Sequence, residues 1–345
     1  MKVNLCLGAY SAVFKDFIAS KPFTKIFLVT DETVWGIYGE EVRNAFDLTT
    51  RSIFILPSGE SCKTLENIRK TWSFFIDKKV DKSTLVIAFG GGSVSDSVGF
   101  AASTFKRGIE TLYIPTTLLA QVDAAIGGKT AINIGGVKNV VGTFSFPLII
   151  ISDTHFLKSL PSDEIKNGIA EMLKHSLLCS KEYFDKLNAK TKVEEFINED
   201  LIIESAKFKT KVVEEDPFDK SERKQLNFGH TIGHAIESLL LQQKKDISHG
   251  AAVAAGLVME TYLSYKYFEL NRSVYEDVLT AVSKYFDKVQ FTEPDFEMLI
   301  DLMTLDKKNI HNEIFMVILR DIGQQEILAV SPPQIREALH VYINL

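Results

Sequence analysis

The sequence predicts an α/β protein: an N-terminal doubly wound, mostly parallel sheet of nucleotide-binding type, followed by a mainly α-helical C-terminal domain. Three observations carry this expectation. The first 150 or so residues alternate short β-branched runs with amphipathic helical ones. The strand runs are near-continuous in Val, Ile and Leu, which marks strands covered on both faces. After Pro161 long helical patterns take over. A chain of 345 residues exceeds what one compact core usually accommodates, so two domains are expected, at 1–152 and 153–345.

Taken in order, strands are expected at 25–30 (KIFLVT), 52–56 (SIFIL), 84–89 (TLVIAF), 111–114 and 148–152. Helices fall between most of them, at 34–46, 64–79 and 94–105. Segment 130–142 turns at Gly135–Gly136 and predicts a hairpin inserted near the last strand. Beyond Pro161, helices are expected at 162–179, 200–213, 231–242, 251–268 and 273–286, with strands only at 313–319 and 326–330. No internal repeat or low-complexity linker interrupts this order.

Composition narrows the function classes. A hydrophobic content of 46% with mean hydropathy +0.05 is that of an ordinary globular protein. The longest apolar runs fall far short of the roughly 20 residues that span a bilayer. The N-terminus MKVNLCLGAYSAVFKD shows no signal-peptide h-region. Cys6, Cys62 and Cys179 are scattered, with no CxxC pair, which favours a reducing compartment and disfavours cysteine ligation. A net charge of −6 offers no field for nucleic acid. A cytoplasmic protein acting on small molecules is expected, with neither nucleic acid nor membrane as partner.

Several stretches carry chemistry. In TLVIAFGGGSVSD (84–96) a buried strand meets three glycines and a helix start, where bare backbone and free N–H groups suit a phosphate. The spacing is not GxGxxG, and a tight strand-to-helix turn is the simpler alternative. Asp31, just past a strand, can accept ribose hydroxyls, and SGESCK (58–63) places Glu60 and Lys63 on the same side of the sheet. In PTTLLAQVDAAIGGKTAINIGGVK (115–138) an apolar helix is interrupted by Asp123, and Lys129 follows a glycine pair. Lysines at such loop edges often meet phosphates or carboxylates. GIAEMLKH (168–175) sets Glu171, Lys174 and His175 on neighbouring helical turns, and a carboxylate in so apolar a helix needs a partner. Stretch 227–249 holds three of the seven histidines. His230 and His234 share a helix face with Glu237 a turn further on, and His249 follows a short loop. The set suits a divalent metal such as zinc, or an ordinary polar helix face; the HExxH spacing is absent.

Together, GGGSVSD, PTTLLAQVDAAIGGKTAIN, GVKN, GIAEMLKH, LNFGHTIGHAIE and SHGAAVAAG resemble the 3-dehydroquinate synthase family, within the sugar phosphate cyclases. The motifs run in the family's order, and a weaker echo at Asp306–Lys308 extends the match. The resemblance implies NAD and Zn2+ (or Co2+) as cofactors. It places Glu171, His230 and His249 as metal ligands. It places Asp31, Glu60, Lys63, Gly91, Gly92, Ser93, Asp96, Thr116, Thr117, Lys129, Lys138, Phe156 and Ser159 around NAD. Asp123, Lys129, Lys138, Asn139, Lys174, Lys209, Arg223, Asn227 and His234 match the substrate pocket. Arg107 matches an arginine that reaches the neighbouring subunit's site, implying a homodimer. One departure is visible: the family's Glu four residues before the pocket arginine is Asp219 here, followed by KSE.

The implied reaction turns a phosphorylated seven-carbon keto acid sugar, 3-deoxy-D-arabino-heptulosonate 7-phosphate, into 3-dehydroquinate and phosphate. A hydroxyl is oxidised by NAD⁺, the new ketone acidifies the neighbouring C–H, and phosphate leaves by β-elimination. The hydride then returns, the ring opens, and an intramolecular aldol closes the carbocycle. His234, one turn from a metal ligand, suits a proton shuttle near neutral pH. Another sugar phosphate cyclase, or an NAD- and metal-dependent polyol dehydrogenase, would share the architecture. The set Lys209, Arg223 and Asn227, matching carboxylate binders, favours the keto acid.

Overall fold

A computed structural model describes residues 2–135, 137–304 and 314–345. The chain divides into two compact units, one of Met1–Leu160 and Ile197–Phe218, the other of Pro161–Phe196 and Asp219–Leu345.

The first unit contains β1 (Leu5–Leu7), α1 (Tyr10–Ser20), β2 (Lys25–Asp31), α2 (Glu32–Ala45), β3 (Ile53–Leu56), α3 (Leu65–Asp77), β4 (Thr84–Gly90), α4 (Gly92–Thr104), β5 (Glu110–Pro115), β6 (Lys129–Ile134), β7 (Val137–Phe144) and β8 (Ile149–Ser152). Six strands form a parallel sheet in the order β1-β8-β5-β4-β2-β3. β4, at the centre, is buried at every residue. Its alternate side chains feed two cores, Val86 and Ala88 one, Leu85, Ile87 and Phe89 the other. Ile68 and Phe75 of α3 and Val98 of α4 close the first core. Phe14 of α1 and Val42 of α2 close the second. Helices on both faces explain why the strands read as continuous apolar runs. β6 and β7 form the expected antiparallel hairpin. β1 and α1 were not expected. β1 is a three-residue edge strand too short to show a period, and α1 has no side-chain cap to signal its start.

The second unit is mainly helical: α5 (Ser162–Cys179), α6 (Lys181–Asn188), then, beyond α7 (Glu199–Glu215), α8 (His230–Gln242), α9 (His249–Tyr267), α10 (Arg272–Ser283), α11 (Phe296–Thr304), the antiparallel pair β9 (Ile314–Asp321) and β10 (Gln324–Val330), and α12 (Pro332–Ile343). α9 is buried almost throughout and packs against α5, α8, α10 and α12. That explains its apolar sequence on all sides. α6, α11 and α12 were not expected, although α12 opens on a legible capping box, Ser331 with Gln334, and a proline pair.

The sequence places the division at Ser152 and assigns everything after it to one domain. The units instead part at Leu160/Pro161, and α7 belongs to the first. Ala206 and Val213 of α7 join the first core, α7 packs against the turn Ala120–Ala124, and Glu214 accepts the Val3 N–H at 2.9 Å. An amphipathic helix advertises its apolar face but not which core will receive it. Gly136, the first residue of the expected strand at 313–319, and the echo at Asp306–Lys308 lie outside the described residues. Among the described residues no helix is long and apolar enough to cross a membrane.

Candidate active site

In the first unit the winding reverses between β2 and β4, and open α/β sheets bind ligands beyond the carboxyl ends of strands at such a point. Asp31 ends β2 and caps α2. Its Oδ1 accepts the N–H groups of Thr33 (2.9 Å) and Val34 (3.0 Å) and the Ser58 hydroxyl (3.2 Å). Gly90 closes β4, Gly91 is the N-cap of α4 without a side-chain cap, and Gly92 opens the helix. The leading amides of α4 therefore meet no capping side chain, the condition under which a helix N-terminus takes an anion. Packing also demands these glycines. A Cβ would stand 2.6 Å from Val94 at Gly90, 3.0 Å from Thr117 at Gly91 and 2.9 Å from Ala124 at Gly92.

Beside them runs a polar network. Ser93 donates to Glu60 Oε1 at 2.8 Å, and Asn133 Nδ2 donates to Oε2 at 2.9 Å. Asn139 N donates to Asn133 Oδ1 at 2.9 Å, and the buried Lys63 donates to Asn139 Oδ1 while pairing with Asp96 Oδ2 at 2.6 Å. Asn139 has φ 53°, a left-handed conformation that Asn tolerates. Burial pushes the Asp96 carboxyl up to about 6, against the pull of Lys63. At Glu60 burial acts upward too, but Lys63, Asn133, Ser93 and Lys138 outweigh it and hold the carboxyl below its usual range. Asn133 was absent from the expected set, though it lies in the TAIN motif; a bridge between Thr64 and Asn133 brings the hairpin to this end of the sheet.

Asp123 sits in a π-helical turn, Ala120–Ala124, rather than in a simple break. Lys209 of α7 pairs with its Oδ1 at 2.7 Å and donates to its carbonyl at 2.7 Å. Thr116 is buried, its hydroxyl without a hydrogen-bond partner among the described residues, while Thr117 Oγ1 accepts the Ala120 N–H at 3.2 Å. Two expected cofactor residues are committed to the fold. The Phe156 ring packs in the core, 4.9 Å from Tyr10 and 5.1 Å from Phe89 between ring centres, and Ser159 Oγ accepts from Tyr38 at 2.8 Å. Lys129 and Lys138 are exposed on the hairpin, and Arg107 is exposed with φ 61°.

In the second unit, α5, α8 and α9 bring the histidine stretch to Glu171. This carboxylate is wholly buried and ion-paired with Lys174, one turn on and equally buried. Its Oε1 lies 3.2 Å from His230 Nε2 and 3.3 Å from His249 Nε2, at the first residues of α8 and α9. One donor atom from each of the three lies within 4.8 Å of the others. The far ring nitrogens are held as well: His230 Nδ1 is 3.1 Å from the Phe228 carbonyl, and His249 Nδ1 is 3.5 Å from Glu237 Oε2. An imidazole fixed by one nitrogen and offering the other is the arrangement ligating histidines use. One carboxylate and two imidazoles fit a zinc-type ion with positions left open. His234, Glu237 and His249 form a second converging set. Glu237 shares the helix face of His230 and His234, yet its role beside His249 is visible only in the fold.

The electrostatics follow from this meeting. Burial alone would raise Glu171, but Lys174 and His230 hold its carboxyl well below the usual range. Burial lowers His230. At His249 burial acts downward and is overcome by Glu171 and Glu237, which lift the imidazolium to about 10. Without a metal, the two carboxylates favour the charged form of His249. His234 is exposed, edge-on to His230 with ring centres 5.1 Å apart. Ahead of α8, Arg223 is buried in the turn Glu222–Asn227, and Asn227 Nδ2 donates to the Lys224 carbonyl at 2.7 Å. Asp219 has φ 56°, which a short Asp side chain tolerates.

Two family models match the chain: 3-dehydroquinate synthase N-terminal over residues 53–167 and 3-dehydroquinate synthase C-terminal over 168–309. A 3-dehydroquinate synthase of Parabacteroides distasonis is 37% identical, covering 99% of this chain and 97% of its own length. One of Lysinibacillus sphaericus is 38% identical, covering 93% and 88%. Among solved structures, a 2-epi-5-epi-valiolone synthase from Streptomyces hygroscopicus with NAD+ and Zn2+ bound superposes with TM-score 0.87 at 22% identity, covering 100% of this chain and 97% of that one. A 2-deoxy-scyllo-inosose synthase complexed with carbaglucose-6-phosphate, NAD+ and Co2+ gives TM-score 0.83 at 23% identity, covering 98% and 96%. These two share the fold, whereas the sequence matches run through both units at family level: the chain belongs to the 3-dehydroquinate synthase family.

Proposed function

We propose that this enzyme converts 3-deoxy-D-arabino-heptulosonate 7-phosphate to 3-dehydroquinate and phosphate, with NAD and a zinc-type metal as resident cofactors. The observation that carries the proposal is the convergence of Glu171 with the Nε2 atoms of His230 and His249, in a chain of this family. The valiolone synthase of the same fold holds NAD+ and Zn2+, which supports the same pair here. When bound, the metal acidifies substrate hydroxyls and NAD takes up and gives back a hydride.

The chain's own residues then divide the work. Glu171, His230 and His249 hold the metal. Asp31, Glu60, Lys63, Ser93, Asp96, Thr116, Thr117 and the amides after Gly91 and Gly92 hold NAD; Phe156 and Ser159, with side chains engaged in the fold, support that site from beneath. Lys209, fixed against Asp123, is a cation of constrained geometry suited to orienting a substrate anion; Arg223 and Asn227 of the second unit carry, by family resemblance, the same assignment to the substrate carboxylate. Lys129 and Lys138 meet the phosphate, with Asn139 beside them, and Lys174 keeps Glu171 ionised. His234 moves protons near neutral pH. A homodimer, with Arg107 contributed to the neighbouring subunit, is the assembly this reading takes; sedimentation at monomer mass would oppose it.

The test is phosphate release from 3-deoxy-D-arabino-heptulosonate 7-phosphate, with and without NAD and a chelator. Release that needs both cofactors, with no net NADH, is expected. Release that survives removal of both, stoichiometric NADH, or a preference for sedoheptulose 7-phosphate would overturn the proposal.

A further inference from the structure

Glu260 is a fully buried carboxylate that the chemistry above does not use. It lies on α9, and its Oε2 accepts the Gly229 N–H at 2.7 Å while its Oε1 accepts the Ile232 N–H at 3.1 Å. Both amides belong to the start of α8. A helix start leaves four N–H groups without intrahelical partners, and an Asp or Ser at the N-cap normally serves one of them. The N-cap here is Gly229, in a left-handed conformation (φ 76°), with no side chain to offer. Glu260 supplies from the neighbouring helix what that position lacks, and its charge lies at the positive end of the α8 dipole.

The two helices run antiparallel in close register. Gly229 lies against Gly256, Gly233 against Ala252, and Glu237 against His249. Glu260 stands one helical turn beyond Gly256, so its carboxylate ties α9 to the first turn of α8. His249 opens α9 and His230 opens α8, and both turn Nε2 toward Glu171.

We propose that Glu260 is a positioning residue of the metal centre: by capping α8 from α9 it fixes the separation of His230 and His249. The inference rests on the metal reading above. Ligand atoms must sit about 2.0–2.1 Å from a zinc-type ion, so a small drift of one helix against the other spoils the set. Supports of ligating histidines typically change metal affinity roughly 10- to 100-fold when removed.

The experiment uses the full chain, stripped of metal and titrated with Co2+, whose visible absorption reports coordination geometry. Glu260→Gln keeps the shape and one acceptor oxygen but turns an NH2 group toward the second amide. Its Co2+ dissociation constant is expected to rise about tenfold, with a weakened absorption band and unchanged far-UV circular dichroism; Glu260→Ala should approach about a hundredfold. If Glu260→Ala does not fold, Glu260→Gln decides alone. Parent-like affinity and spectrum in Glu260→Gln would overturn the positioning role while leaving the metal reading intact. A parent chain that takes up no Co2+, or His249→Ala binding it as tightly as the parent, would overturn the metal reading itself.

Discussion

Gly256→Ala offers a contest of magnitudes. In a helix interior this change normally stabilises by about 1 kcal/mol, because glycine loses more backbone entropy on folding. At Gly256 the new Cβ would stand 1.9 Å from the Gly229 carbonyl oxygen, 2.8 Å from its carbon and 2.9 Å from Gly233 N. All three are backbone atoms at the start of α8, so no rotamer change relieves the clash. The carbonyl must retreat by about an ångström or more to reach a tolerable contact, taking the first turn of α8 and His230 with it. Overpacking of this kind costs roughly 1–3 kcal/mol, and the rigid partner puts Gly256 at the upper end. Net destabilisation of about 2 kcal/mol is expected by urea unfolding, with a weakened Co2+ affinity. Gly36→Ala is the control: Gly36 is exposed on α2, with nothing within 4 Å of a new Cβ, and should gain up to about 1 kcal/mol. A Gly256→Ala chain as stable as its parent would refute the reasoning.

Glu171→Gln removes the carboxylate from the buried Lys174 and should cost about 3–5 kcal/mol in urea unfolding of metal-free protein; a loss below about 1 kcal/mol would contradict the account of this pair. The pH dependence of metal-free protein follows from the same cluster. His249, raised from 6.5 to about 10, contributes stability that is full below pH 6.5 and lost as pH rises through about 10. Glu171, depressed from 4.5, contributes above pH 4.5 and loses its share as pH falls through the lowered value. Their joint contribution should therefore peak between 4.5 and 6.5, and Zn2+ uptake should release a proton and tighten as pH climbs towards about 10; a flat affinity from pH 7 to 9 would count against it. Asp31→Ala should cost about 1 kcal/mol through loss of the α2 cap, read as a lower Tm with NAD absent, and an unchanged Tm would show the cap to be idle.

By itself the sequence determined what depends on local pattern. Continuous Val, Ile and Leu runs marked the buried strands, periodic apolar residues marked α2, α3, α4, α5, α8, α9 and α10, and the ordered motifs marked the family. Even there, β1 and α1 escaped: the three residues of β1 show no period, and α1 has no side-chain cap to signal its start. Only the tertiary structure decided what depends on long-range partners. It carried α7 back to the first core through Ala206 and Val213, and turned the ring of Phe156 inward. It set Asn133 against Glu60, Glu237 against His249 and Glu260 under Gly229. A carboxylate's spacing along the chain fixes which helix face it occupies, but not which amide or imidazole another helix will bring to it. That choice is made by packing, here by glycines 229, 233 and 256, which let two helix backbones approach closely enough for one buried acid to reach across.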